Sequence, residues 1–246
     1  MKIITLLKQV PDAEARIRAK EGVVDLEGVT FVIDGMDEYG VEEALRIREA
    51  GREVEIVALS LGPKRFEEAI RTALALGVDR AVHIETEEVV DPISQAQVLA
   101  KVIADEQADL VLLGGQQADW DSTALGPAVA EALGWPHSDW TTRLALTDGR
   151  ISVTHDSDDG SEELELPLPA VVTTQQGLND PRYPTLPNIM KSKRKELRTE
   201  PAPDTPAATR VLGRTVEQRE RRRKIVEGDA SEGARAIASL LREAGK

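Results

Sequence analysis

Residues 112–127 combine residue types that could bind a phosphate group. Gly114 and Gly115 are followed by the hydroxyls of Ser122 and Thr123, between a predicted strand and a predicted helix. Small residues let the backbone approach a phosphate closely, and free N–H groups at a helix N-terminus attract anions. Ser122 and Thr123 could also cap that helix. Since the segment is neither a Walker loop nor a G-x-G-x-x-G motif, the residues leave two interpretations open: a plain capped turn and a nucleotide-phosphate site.

Two carboxylates and two further loops limit the kind of ligand that residues 112–127 could bind. Asp119 and Asp121 would repel a phosphate, so we expect them to bind ribose hydroxyls, cap the turn or face water. Residues 8–12 and 59–63 each follow a predicted strand. In a doubly wound sheet the carboxyl ends of the strands border the ligand crevice. The sequence therefore predicts three strand ends that converge on one crevice.

The sequence offers little for catalysis. His83, His137 and His155 are scattered over a strand, a turn and a hairpin, without the short spacings of a metal pair or of a nucleophile and its base. Ser60 and Ser122 lack the context of a nucleophile elbow. The chain has no cysteine, which excludes disulfides and thiolate metal clusters. We predict no catalytic residue and no metal site.

Alternating apolar strands and amphipathic helices must position these loops. Strands are predicted at residues 2–7, 53–60, 80–84 and 109–113. Helices are predicted at residues 38–49, 64–76, 93–105 and 124–133. Right-handed crossovers between such units give an α/β fold with a doubly wound, mainly parallel sheet.

The second half of the chain has a different sequence pattern. Alternating or apolar runs at residues 141–146, 150–154, 163–166 and 170–174 are separated by Asp-Gly turns and predict an antiparallel extension of the sheet. The proline-rich stretch from residue 175 to about 215 predicts an extended arm, and residues 232–244 predict a last helix. We divide the chain into a nucleotide-binding α/β domain, residues 1–190, and a C-terminal arm and helix, residues 191–246.

Composition and charge exclude several classes of protein. The 246 residues carry a net charge of −13, which disfavours generic binding to nucleic acid or to anionic membranes. Apolar runs do not reach the ~18 residues of a membrane span, and the N-terminus lacks a signal peptide, so we predict a cytoplasmic protein without membrane insertion. Residues 191–224 hold 12 Lys plus Arg against 5 Asp plus Glu. The arm is therefore basic, which suits solvation, contact with its own acidic body, or docking.

One segment carries a close resemblance to a known family. Residues 171–195 contain an Asn-Asp-Pro-Arg-Tyr run, then Leu-Pro-Asn-Ile-Met-Lys and several basic residues. This pattern resembles the beta subunit of electron transfer flavoprotein, whose signature reads Asn-Glu-Pro-Arg-Tyr at the first run. Residues 8–12, 37–45, 71–80 and 112–127 are also similar to family segments. The resemblance thus extends through nearly the whole chain.

The resemblance implies a role as an electron carrier subunit rather than an enzyme. The chain would pair with an alpha subunit that holds most of the redox-active FAD, and residues 191–246 would wrap that partner. The heterodimer would take electrons from acyl-CoA and related dehydrogenases, as in fatty acid oxidation, and pass them to a quinone oxidoreductase. The beta subunit would bind AMP in the predicted crevice and would dock the dehydrogenases.

The resemblance also assigns residues to these two tasks. The AMP-binding residues would be Leu6, Asp34, Gly35, Met36, Asp37, Leu61, Gly114, Gly115, Gln116, Gln117, Ala118, Asp119, Trp120, Asp121, Ser122, Thr123, Ala124 and Leu125. The residues that dock partner dehydrogenases would be Tyr183, Leu186, Pro187, Ile189, Met190 and Lys191. A leucine between Thr185 and Pro187 on a stiff arm loses little entropy when it enters an apolar pocket. The alternative is that Leu186 packs on its own domain.

Departures from the family pattern keep other functions in view. Asp34 and Gly35 stand where classical members have Asn-Pro, and Ala13 stands where they have a tyrosine near the flavin. Gly126, Pro127 and residues 8–12 are more similar to the branch whose beta subunit holds a second FAD in place of AMP and splits electron pairs between two acceptors. The Leu186 loop is more similar to the classical branch, so we favour AMP. A stand-alone adenine-nucleotide-binding module is the competing class, and a hydrolase is a distant third.

Overall fold

Thirteen strands, six α-helices and one 3₁₀ turn make up the described part of the chain, which in this computed structural model comprises residues 1–20, 23–88, 90–212 and 225–244. The strands are β1 (Lys2–Leu6), β2 (Gln9–Pro11), β3 (Arg18–Lys20), β4 (Val23–Asp25), β5 (Phe31–Ile33), β6 (Glu55–Gly62), β7 (Arg80–Glu85), β8 (Leu110–Gly114), β9 (His137–Thr147), β10 (Arg150–Ser157), β11 (Gly160–Pro167), β12 (Ala170–Thr174) and β13 (Leu197–Pro201). The helices are α1 (Gly35–Glu49), α2 (Glu67–Leu76), which follows the 3₁₀ turn Lys64–Phe66, α3 (Pro92–Asp105), α4 (Leu125–Leu133), α5 (Leu186–Ser192) and α6 (Ala230–Ala244).

Nine of the strands form one sheet in the order β11-β10-β9-β12-β8-β1-β6-β7-β13. Neighbouring strands pair in parallel along the part of the sheet that runs β9-β12-β8-β1-β6-β7-β13. The pairs β9–β10 and β10–β11 are antiparallel. Two apolar layers cover the sheet: Ile3 of β1 belongs to the layer with α1 and α2, and Ile4 to the layer with α3 and α4. The predicted α/β class is confirmed: a doubly wound, mainly parallel sheet with an antiparallel extension.

One predicted strand has a different place from the one expected. Residues 170–174 were assigned to the antiparallel extension, but β12 lies inside the parallel part, between β8 and β9. All five of its residues are buried. A strand covered on both faces reads as a continuous apolar run, as is typical of parallel sheets. The extension therefore consists of β9, β10 and β11.

The arm that follows β12 crosses the surface but contains two elements that were not predicted. Helix α5 forms at residues 186–192, and β13 adds to the sheet edge by pairing in parallel with β7. Beyond β13, the backbone N–H of Ala208 donates to Asp91 (3.0 Å), at the N-terminus of α3. The boundary predicted between residues 190 and 191 falls inside α5. Residues 213–224, which include part of the predicted basic segment, lie outside the described residues.

A charged cluster ties β13 to the body of the sheet. Glu106 is buried and receives three cations: Arg80 at 2.5 Å, Arg198 of β13 at 3.1 Å and Lys2 of β1 at 3.2 Å. Hydrogen bonds from Arg80 and then from Lys2 lower the pKa of Glu106 from 4.5 to about 2, against the opposing effect of burial. The carboxylate therefore joins three strands through charge-assisted hydrogen bonds.

We expect Glu106→Gln to lower the free energy of unfolding at pH 7 by on the order of 3 kcal/mol. The folded state holds Glu106 ionised, so its contribution is complete above pH 4.5 and is lost as the pH falls toward 2. The two proteins should therefore converge in stability over that range in urea unfolding. Glu55→Gln removes a half-exposed partner of the same Arg80 and should cost less than about 1 kcal/mol. Equal stability of Glu106→Gln and wild type at pH 7 would refute this assignment.

Candidate functional site

The carboxyl ends of β1, β6 and β8 meet at one edge of the sheet, as the sequence predicted. Together with α1, α3 and the loop before α4 they enclose a small cavity lined by Leu6, Leu7, Lys8, Asp37, Leu59, Leu61, Gln95, Leu99, Leu113, Gln117 and Leu125. Leucines supply an apolar wall, and Lys8 supplies a positive charge. The cavity has a volume of about 30 Å³, whereas ligand sites span roughly 300 to 1,000 Å³. In this closed arrangement the cavity accommodates water but not a nucleotide.

Two buried aspartates at the start of α1 lie beside the crevice. Asp37 accepts hydrogen bonds from the backbone N–H groups of Lys8 and Gly114, both at 2.7 Å. Asp34 is the N-cap of α1, where it accepts from the N–H of Met36 (3.0 Å), and its second oxygen accepts from Ala118 (2.7 Å). Both carboxylates were predicted to bind the nucleotide. In the structure they join the end of β1, the end of β8 and the loop after β8 to α1.

Burial sets the acidity of this pair. It raises the pKa of Asp34 and raises that of the fully buried Asp37 well above 3.8, where repulsion from Asp34 adds to the effect. The backbone hydrogen bonds oppose both shifts. Both pKa values are higher in the folded state than in the unfolded state. The free energy of unfolding therefore decreases as the pH rises through the interval between the two values. This pH dependence is opposite in sign to that of Glu106.

The loop between β8 and α4 is fastened along its length. Lys8 Nζ lies 2.6 Å from Asp119 Oδ1 and 5.8 Å from the centre of the Trp120 ring. Gln117 is buried, and its carbonyl accepts from the N–H of Asp121 at 2.8 Å. The amide of Gln116 donates to Asp121. Asp119 and Asp121 therefore both have partners within the protein. Lys8, the cation best placed to bind a phosphate, forms an ion pair with Asp119.

The predicted capping of α4 by Ser122 and Thr123 is wrong. The N-cap is Ala124, and no side chain caps the helix. Ser122 Oγ instead accepts from the N–H of Ala124 at 3.3 Å, one residue before α4 begins. Ser122 and Thr123 stand two positions and one position before the N-cap residue, so neither occupies the capping position.

Glycine is required where the loop leaves β8. A Cβ atom added to Gly114 would lie 2.7 Å from Met36 Cβ and 2.8 Å from Asp37 Oδ1. The backbone of β8 therefore approaches α1 as closely as it does only because Gly114 has no side chain. At Gly35, in contrast, an added Cβ meets nothing within 4 Å.

We expect Gly114→Ala to lower the free energy of unfolding by about 1 to 3 kcal/mol, because the added methyl group must push α1 and β8 apart. Gly35→Ala is the matched control, since the same methyl group enters open space in the first turn of α1. It should be neutral or slightly stabilising. Urea unfolding of the two variants tests this. Equal stability of both would show that the approach of β8 to α1 is not tight.

Two cavity residues, Gln95 and Leu99, and also Arg65, which contacts the segment 8–12, were not predicted as site residues. Gln95 and Leu99 reach the crevice from α3. Arg65 follows β6, donates to Gln9 Oε1 at 2.7 Å and stacks over Phe31, 4.1 Å from the ring centre. A signal for Arg65 was present, since Lys64 and Arg65 directly follow a strand-end loop that was predicted to border the crevice. Gln95 and Leu99 had no local signal, because their role depends on where α3 crosses the sheet.

The six residues predicted to dock partners, which we call the docking segment (Tyr183, Leu186, Pro187, Ile189, Met190 and Lys191), are all exposed. Leu186 opens α5 with 72% of its surface exposed, and Tyr183 is 92% exposed. The alternative that Leu186 packs on its own domain is therefore wrong in this structure. Large exposed apolar side chains in one segment mark an interaction surface.

The stretch before the docking segment is tied to α1 by an arginine fork. Arg182 donates from Nε and Nη2 to the two oxygens of Glu42, both at 2.8 Å, and from Nη1 and Nη2 to Glu49. Glu42 is buried, and the hydrogen bonds that Arg182 donates to both glutamates raise the pKa of Arg182. Asn179 donates to the carbonyl of Tyr39 at 3.1 Å. The Asn and Arg of the sequence signature therefore hold the arm on the body.

Two of the histidines, His83 and His155, have hydrogen-bond partners, whereas His137 Nε2 is buried without one among the described residues. His83 is buried with Nε2 at 3.1 Å from the carbonyl of Gly62, and His155 lies between Asp139 and Glu162. Burial lowers the pKa of His137. Among the described residues, no group of three or more His, Cys, Asp or Glu side chains is arranged to hold a metal ion. The described helices are all too short or too polar to cross a membrane.

Comparison with known proteins gives one consistent result. The model of the electron transfer flavoprotein domain matches residues 21–205. Proteins named electron transfer flavoprotein subunit beta are 40% identical in Bradyrhizobium diazoefficiens, over 80% of both chains, and 41% identical in Homo sapiens, also over 80% of both. A protein of the same name from Syntrophomonas wolfei is 35% identical over 86% of this chain and 84% of its own length.

Proposed function

The chain belongs to the electron transfer flavoprotein family, and from that premise we propose that it is the beta subunit of a heterodimeric electron carrier. The carrier accepts electrons from acyl-CoA and related dehydrogenases and passes them to a quinone oxidoreductase. The observation that carries this proposal is the exposed docking segment, which directly follows the Arg182 fork that ties the arm to α1. The subunit itself performs no bond chemistry.

The docking segment suits short-lived contacts. Leu186, Ile189 and Met190 expose apolar surface on a two-turn helix, which is far smaller than a permanent interface. Met190 adapts to differently shaped partners because its side chain is flexible and polarizable. Lys191 and its basic neighbours favour a partner with an acidic rim and speed its approach. A carrier that must leave each partner quickly needs this combination.

The C-terminal helix supports pairing with an alpha subunit. Ile237, Leu240 and Leu241 of α6 recur at helical spacing and are 59%, 46% and 69% exposed. An amphipathic helix buries such an apolar side against another surface. We propose that residues 191–246 wrap the alpha subunit, which holds most of the FAD, and that α6 packs its apolar side there.

We propose that the crevice at the ends of β1, β6 and β8 binds AMP. Its leucines suit an adenine ring, and Lys8 suits a phosphate, but the closed cavity has no room for the ligand. Binding therefore requires residues 114–125 to move outward, with loss of the Lys8–Asp119 ion pair and of the Ala118–Asp34 hydrogen bond. A second FAD in the same crevice, as in electron-bifurcating members, demands a larger displacement of the same loop.

Co-expression with an alpha subunit tests the proposal. We expect a yellow one-to-one heterodimer that releases one FAD and one AMP on denaturation, weighed by mass spectrometry. Two FADs per heterodimer would instead support the bifurcating alternative. Calorimetric titration of the isolated chain with ATP and AMP tests the stand-alone nucleotide-binding module, which should bind ATP without a partner. Stable colourless monomers after co-purification would contradict the carrier assignment.

A further inference from the structure

Helix α5, which carries the docking segment, is too short to hold its own conformation. It has seven residues, whereas isolated helices in water need roughly 12 to 15 residues to be even marginally stable. Ser192 is its only buried residue. The carbonyl groups of its last turn also lack partners within the helix. Something outside α5 must therefore fix its shape and direction.

An arginine of α2 supplies partners for the end of α5. Arg71 Nη1 donates to the carbonyl of Ser192 and to the carbonyl of Lys195, both at 3.0 Å. The guanidinium is oriented in turn by Glu67, one helical turn earlier, at 3.3 Å. A cation at this position also interacts favourably with the negative end of the helix dipole.

A lysine beyond α5 supplies partners for the end of α2. Lys195 Nζ donates to the carbonyl of Leu74 at 3.0 Å and to that of Val78 at 2.5 Å. These carbonyls belong to the last turn of α2 and to the segment directly after it. Each helix thus receives a cation from the chain segment of the other, so the two ends are joined by four crossed hydrogen bonds.

Apolar packing between the two helices is incomplete. An open groove of about 450 Å³ runs between their surfaces, lined by Thr72 and Ala75 of α2 and by Pro184, Ile189 and Lys193 of the arm. A tightly packed interface would set the angle between the helices by side-chain shape. Here the crossed hydrogen bonds at one end are the directional contacts that remain.

We propose that Arg71 and Lys195 are positioning residues that set the direction in which α5 presents Leu186 to a partner enzyme. The inference rests on the proposed function, since it concerns how the docking segment is held for docking. Neither residue needs to touch the partner. Loss of either cation leaves α5 attached by the chain but free to tilt, so the apolar side chains reach a partner in fewer productive orientations.

The test uses the flavin-loaded heterodimer and a purified acyl-CoA dehydrogenase as the varied substrate. We expect Lys195→Met and Arg71→Gln each to raise KM for the dehydrogenase about tenfold, with kcat, flavin content and thermal midpoint close to wild type. Lys195→Arg and Arg71→Lys keep a cation that can donate to the same carbonyls and should restore KM to within about threefold. Lys101→Met, which removes an exposed charge on α3, controls for the loss of charge.

Leu186→Ala, assayed in parallel, separates this inference from the proposed function. If Leu186→Ala raises KM but Lys195→Met and Arg71→Gln do not, the positioning role is wrong and the docking role stands. A rise in KM that only accompanies loss of flavin, or that Lys195→Arg fails to reverse, would also overturn the positioning role. An unchanged KM for Leu186→Ala would overturn both.

Discussion

Replacing Leu186 by alanine is expected to raise KM for a partner dehydrogenase roughly 10- to 100-fold while the flavin content of the heterodimer stays unchanged. Burial of one leucine side chain contributes about 1.5 to 3 kcal/mol, and each 1.4 kcal/mol changes an affinity about tenfold. Leu186 is 72% exposed in the free protein, so its removal costs the fold almost nothing. The expected effect therefore lies in association, and steady-state electron transfer with varied dehydrogenase concentration measures it.

Leu26→Ala is the matched control for this experiment. Leu26 is 41% exposed and lies outside both the docking segment and residues 191–246, so its replacement removes the same side chain from an exposed position elsewhere on the surface. KM should then stay at the wild-type value. Loss of flavin together with activity in Leu186→Ala would show instead that Leu186 is a structural residue in the assembled heterodimer.

We expect Arg182→Met to lower the free energy of unfolding by about 3 kcal/mol, because it leaves the buried carboxylate of Glu42 without its cation. Glu42 has 7% of its side chain exposed and receives two hydrogen bonds from the guanidinium of Arg182. The arm should also detach from α1, since Arg182 joins it to two turns of that helix through Glu42 and Glu49. Urea unfolding measures the first effect, and hydrogen exchange of residues 179–185 the second.

A double-mutant cycle separates the lost pairing from the lost side chain. Glu42→Gln in the Arg182→Met background removes the stranded charge and should recover part of the stability. Arg52→Met breaks the exposed pair with Asp148 and should cost less than about 1 kcal/mol. A loss in Arg182→Met no greater than in Arg52→Met would contradict a structural role for the fork.

The parallel core was predictable because its strands are short apolar runs. Residues 2–7 and 109–113 were predicted as strands, and the structure has Lys2–Leu6 and Leu110–Gly114. The edge strand β13 was missed because its residues are polar and largely exposed, so its sequence lacks both the alternation and the apolar content of a strand. It forms because β7 offers a free edge and Glu106 attracts Arg198, which only the folded sheet reveals.

The position of the site could be predicted from the sequence, but the contacts of its residues could not. Parallel strands end at the same edge, so the convergence of three strand ends followed from the order of elements. The partners of Asp34 and Asp37 could not be foreseen, since Ala118 and Gly114 are about 80 residues away in the chain and meet them only after folding. The exposure of Leu186 was foreseen from the prolines around it, but its helix was not, because seven residues give no periodic signal.

A photo-reactive amino acid placed at position 186 of the assembled heterodimer tests most directly whether this chain docks redox enzymes through that residue. On illumination with an acyl-CoA dehydrogenase, we expect a crosslinked product that contains the dehydrogenase, that excess unlabelled heterodimer suppresses, and that is absent when the probe is at position 26, which is also exposed. Crosslinking of position 186 to the alpha subunit, or equal yields from positions 186 and 26, would contradict the account.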